Sequence, residues 1–137
     1  MPHKKLIYVV PGLNGQERHW EPLLARLKKE PGFKDGTEAH WEFWPHGLHA
    51  LSFRRLTAVA IELKAKIDET VVGKGPFSEI ILVGHSVGAL LVREAYLRAS
   101  NAYLEVGTAV RDSWATLVTK LILFASISRC IDPERTV

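Results

Sequence analysis

Between Glu79 and Tyr96 a serine stands where two incompatible periodicities meet. Ile80-Ile81-Leu82-Val83 is a short unbroken apolar run, which reads as a fully buried strand, whereas Val87, Leu90, Leu91 and Ala95 recur at helical spacing. Ser86 occupies the junction, in the pattern Gly84-His85-Ser86-Val87-Gly88. A strand that reverses into a helix within one residue forces that residue into strained torsions and brings the flanking chain very close. Only small residues fit beside it, and Gly84 and Gly88 both lack a side chain. The expected product is a hydroxyl held out at the carboxyl end of a strand, backed by a helix N-terminus that favours negative charge. This is the G-x-S-x-G nucleophile elbow. The bare pattern arises by chance in roughly one chain in twenty of this length. Its position between a buried strand and an amphipathic helix gives it weight against the plainer reading, a βα turn with an N-capping serine.

The rest of the chain repeats the same alternation. Leu6-Ile7-Tyr8-Val9-Val10, rich in β-branched residues and closed by Pro11-Gly12, reads as a buried parallel strand followed by the loop Pro11-Gly12-Leu13-Asn14-Gly15. Trp20, Leu23, Leu24 and Leu27 give a helix one apolar stripe, with Pro22 expected in its first turn and Pro31-Gly32 beyond its end. Ala39 to Phe43 alternates apolar and polar residues, as an edge strand does. Ser52 is placed to cap a second helix with the stripe Leu56, Val59, Ala60, Leu63 and Ile67, stopped by Gly73-Lys74-Gly75-Pro76. The helix after the elbow is expected to run to about Ala99. From Ser100 to Trp114 the pattern is loose and reads as loop or lid, and Leu121 to Ala125 reads as a further buried strand. The order β, α, β, α, β, α, β implies an α/β fold: a parallel sheet of about four strands with helices on both faces, a three-layer sandwich forming one domain over residues 1–137. Ligands on such sheets sit outside the carboxyl ends of the strands, where Ser86 and the Gly12 to Gly15 loop both fall.

Composition narrows the classes. With 47% hydrophobic and 24% charged residues in 137, there is apolar material for one core. The formal net charge of +3 is modest and its lysines and arginines are dispersed, so nucleic acid is not an expected partner. The single cysteine, Cys130, excludes an internal disulfide and fits a reducing, cytoplasmic setting. Five apolar residues before Pro11 are too few for a signal peptide, and no stretch approaches a membrane span. His40, His46 and His49 lack the spacing and carboxylate partners of a metal site, and neither glycine loop follows a phosphate-binding pattern. No metal and no nucleotide or other cofactor is expected. Trp41, Phe43 and Trp44 read as core packing before they read as an acyl pocket.

From the first strand and its Gly12 loop, through the elbow, to the strand at Leu121, the chain resembles the amino-terminal half of an α/β-hydrolase, similar to small esterases and lipases. The resemblance implies a serine hydrolase acting on an ester or lipid substrate, with Ser86 as nucleophile. It also implies an oxyanion hole made by the backbone N–H groups of Leu13 and Val87, with Gly12, Gly15, Gly84 and Gly88 shaping the two loops. The family's first loop usually reads His-Gly-x-x-Gly, and here Pro11 stands at the histidine position. The larger departure concerns the base. The family orders its triad Ser, then Asp or Glu, then His. All six histidines, His3, His19, His40, His46, His49 and His85, precede Ser86. The strands that carry acid and histidine in the family would follow Ala125, so the expectation is a truncated or split domain. Asp132 sits where some lipases place the acid, and it reads more simply as a solvated loop aspartate. The competing expectation is a non-catalytic or degenerate domain of this type that binds a ligand or a protein. If nothing covers the strand Leu121–Ala125, its outer edge is expected to drive self-association.

Overall fold

The computed structural model describes residues 4–12, 17–44, 55–100 and 113–124. Its elements run β1 (Lys4–Val10), α1 (Glu17–Leu27), β2 (Ala39–Phe43), α2 (Leu56–Lys74), β3 (Phe77–His85), α3 (Val87–Ala99), a 3-10 turn (Ser113–Leu117) and β4 (Val118–Phe124). The four strands form one sheet in the order β2-β1-β3-β4, with every pairing parallel. Parallel neighbours need a crossover, and a helix lies in each of the three connections. The expected α/β architecture, a parallel sheet of about four strands with helices on both faces, is therefore the one found, with β3 between β1 and β4 and β2 at the edge beyond β1.

Alternation along β1 and β3 builds two cores from the same strands. Leu6, Tyr8 and Val10 of β1 and Ile80 and Leu82 of β3 pack against Leu63 and Ile67 of α2 and Leu91 and Val92 of α3. Ile7, Val9, Ile81 and Val83 point to the opposite face, where α1 contributes Leu24. Among the described residues, two helices thus cover one face and a single helix the other. Trp114, at the start of the 3-10 turn, joins the first core and donates its indole N–H to Asp68 of α2. The segment read from the sequence as loop therefore ends in a packed turn.

The unequal cover explains where the sequence pattern misleads. The stripe Trp20, Leu23, Leu24, Leu27 buries only Leu24, while Leu23 and Leu27 are 45% and 39% exposed, because α1 alone cannot span the face it lies on. Pro22 is inside α1 and not in its first turn, since the helix begins at Glu17. Helix α2 starts at Leu56 with Arg55 in the N-cap position and no side-chain cap, and Leu56 is exposed; Ser52 lies outside the described residues. β4 reads as a buried run, yet its residues are half-buried or exposed because it is an edge strand, with Phe124 47% exposed. The expected extension of that strand to Ala125 lies outside the described residues. Among the described residues no helix is long and apolar enough to cross a membrane.

One buried side chain gives the first core a pH signature. Tyr8 is 3% exposed, and burial, with the negative charge of Glu42 as a smaller cause, pushes its phenol from the ordinary 10.0 up to about 12. The neutral form is the one the fold prefers, so this contribution is complete below pH 10 and is lost as pH rises through the folded value. The loss is expected to be on the order of 2 kcal/mol. Urea unfolding at stepped alkaline pH checks it: wild type should lose stability more steeply than Tyr8→Phe above pH 10. Parallel curves would mean the phenol is not responsible.

Candidate active site

β3 ends at His85 and α3 begins at Val87, so Ser86 alone makes the turn between them. Its torsions, φ 55° and ψ −120°, make it the one non-glycine residue with positive φ among the described residues. Such torsions cost an L residue about 1–3 kcal/mol and persist only where the surroundings impose them. Here they do. The Ser86 N–H donates to the Phe124 carbonyl at the end of β4 at 2.9 Å, and its carbonyl accepts the Ala89 N–H at 3.0 Å. The hydroxyl makes no capping bond, which removes the N-cap reading and leaves the oxygen for other chemistry.

The glycines allow the close approach that the turn requires. A Cβ on Gly84 would lie 2.5 Å from the Gly88 carbonyl oxygen, and one on Gly88 would lie 2.2 Å from the Val10 carbonyl oxygen. The elbow is therefore wedged against both its own helix and the end of β1. Gly12 completes the contact: a Cβ there would stand 3.3 Å from the Ser86 Cβ and 3.0 Å from the His85 Nδ1. Gly12, just after β1, thus meets the serine, as two strands adjacent in the sheet require. Val87, buried at the first position of α3, carries an amide with no acceptor within its own helix. Leu13, Gly15 and Asp132 lie outside the described residues.

The described histidines are placed clearly. By alternation His85 shares the face of Ile81 and Val83, and its exposed ring meets Trp20 of α1 edge-on, with centroids 6.0 Å apart. His40 bonds Glu42 at 2.7 Å and lies near Phe77. It pairs in register with Leu6, and Leu6 with Ile80, which sets it roughly 20 Å from Ser86 along the strands. His40 cannot reach the hydroxyl. His3, His46 and His49 and the side chain of His19 lie outside the described residues. No group of three metal-ligating side chains occurs among the described residues. Of the aromatic strand, Trp41 and Phe43 pack on the α1 face and Trp44 on the other, in keeping with a packing role.

Two features of the site carry no signal in the sequence. One is the hold of the Phe124 carbonyl on Ser86, because it links residues far apart in the chain. The other is the Trp20 and His85 contact, for which the apolar stripe of α1 could only have suggested that Trp20 faces the sheet. Compared with family models, curated proteins and solved structures, the chain matches none of them.

Proposed function

We propose that this chain carries the nucleophile and part of the oxyanion hole of a serine hydrolase that cleaves carboxylic esters or lipids. The observation that supports the reading best is the strained, positive φ of Ser86 at the carboxyl end of a central strand, with its hydroxyl not used as a cap. The Ser86 Oγ attacks the ester carbonyl and its proton passes to a histidine from outside the described residues. The Val87 amide and that of Leu13 stabilise the oxyanion, which commonly contributes several kcal/mol to such transition states. Collapse of the tetrahedral intermediate breaks the ester C–O bond, and the alcohol leaves with the proton. Water then hydrolyses the acyl-serine by the same route. A second reading, a non-catalytic domain of this architecture that binds a ligand or a protein, rests on one observation: neither described histidine is hydrogen-bonded to Ser86.

A fluorophosphonate probe with peptide mapping tests the first reading. Ser86 is expected to label slowly in the chain by itself and faster when imidazole is added as an external base, with Ser86→Ala abolishing the signal. The exposed Ser78, on the same strand, serves as the internal control. Equal labelling of Ser78 and Ser86, with and without imidazole, would favour the non-catalytic reading.

A further inference from the structure

The outer edge of β4 has no neighbouring strand among the described residues. An unpaired strand edge is a template for another chain, and sheets usually protect it with charge, proline or a bulge away from the partner side. From Lys120 to Phe124 this edge offers one charge, that of Lys120. The apolar surface does not stop at the edge. On the α1 face an open groove of about 230 Å³ runs from Leu23 and Leu27 across Ile81 and Val83 to Ile122 and Phe124, so among the described residues the least covered part of the sheet ends at its least protected strand.

We propose that a second copy of this chain pairs with β4 across a twofold axis, antiparallel and centred on Ile122. The backbone sets which residues can bond outward. The Phe124 carbonyl points inward to Ser86, so by alternation the N–H and C=O of Leu121 and Leu123 face outward. An antiparallel pair centred on Ile122 then sets Leu121 opposite the partner's Leu123 as a hydrogen-bonded pair. Ile122 faces its own symmetry mate as a non-hydrogen-bonded pair.

Side chains select this register over its neighbours. Opposed residues in an antiparallel pair share a face, so only shifts by two residues keep each apolar set on its own side. A shift by two residues moves the axis by one: on Leu121 it would set Lys120 against the partner's aliphatic Ile122, on Leu123 it would leave Lys120 without a partner between Lys120 and Phe124, and on Lys120 it would oppose two like charges. Centring it on Ile122 puts Lys120 over the partner's Phe124, where a cation meets an aromatic ring, and pairs the three residues between them with aliphatic partners. The strand is thus complementary to itself, which is what an isologous twofold contact requires. The pairing also brings the two open apolar faces side by side and shields Ile122 and Phe124.

Sedimentation velocity and light scattering across a concentration series, on the whole chain, test this. A discrete dimer is expected, and Phe124→Lys should raise its dissociation constant at least tenfold by opposing two lysines. Adding Lys120→Glu to Phe124→Lys should restore dimerisation, since the opposed pair becomes Glu and Lys; unchanged circular dichroism separates this from misfolding. As a second measurement, Ile122→Cys in a Cys130→Ser background should cross-link under mild oxidation, because opposed residues of a non-hydrogen-bonded pair are about 4.5 Å apart at Cα, within disulfide range. A monomer at every concentration would overturn the proposal. Polydisperse aggregation, or a dimer indifferent to both the lysine and its charge-swapped rescue, would overturn it equally.

Discussion

Gly88→Ala is expected to cost about 4 kcal/mol or more, a large share of the stability, on the order of 10 kcal/mol, that a domain of this size holds. The new Cβ would lie 2.2 Å from the Val10 carbonyl oxygen and 2.5 Å from that of Pro11. Both are backbone atoms, so no side-chain rotation can relieve the contact. Relief would require α3 to move off the end of β1, and Val10 is fully buried in the core that α3 helps close. The same substitution at Gly73 should do the opposite. That glycine lies within α2, and a Cβ there would meet nothing within 4 Å, so alanine gains from helix propensity by roughly 0.5 kcal/mol. Urea midpoints of the two variants against wild type check the contrast. If Gly88→Ala loses less than about 1 kcal/mol, the close approach of the elbow to β1 is wrong.

Ser86→Gly should abolish fluorophosphonate labelling at the elbow altogether and at the same time raise the melting temperature by roughly 3 °C, from a gain of about 1 kcal/mol. The two effects share one cause. At φ 55° and ψ −120° a residue with a Cβ is strained, and glycine removes that strain, offset in part by the greater freedom it adds to the unfolded chain. Little packing is lost, because Ser86 is only half-buried and its side chain makes no capping bond. Ser86→Ala, which keeps a Cβ, should lose the labelling while leaving the melt nearly unchanged. Calorimetry on the three proteins separates the outcomes. A glycine variant that melts lower than wild type would mean the hydroxyl holds the turn together, and that the residue is structural.

These two residues also mark the border between what the chain spells out locally and what it does not. Gly84, Ser86 and Gly88 were legible because a strand-to-helix turn acts over a few residues, and its demands for a strained centre and small flanks are met by residue type alone. The buried strands at Leu6 and Ile80 and the helix stripes of α2 and α3 were legible for a similar reason: periods of 2.0 and 3.6 are written into neighbouring side chains. With four strands and three intervening helices in prospect, short right-handed crossovers leave few orders for a parallel sheet. Burial is another matter, because it depends on what lies opposite. Leu23, Leu27 and the β4 run have the composition of core, yet remain partly exposed because, among the described residues, α1 is alone on its face and β4 is at the edge. Tertiary structure alone decided that the Phe124 carbonyl holds Ser86, that Gly12 lies against it, and that His85 turns to Trp20 while His40 sits at the other end of the sheet. Each of these joins residues on different elements, and a contact across elements has no period in the sequence to announce it.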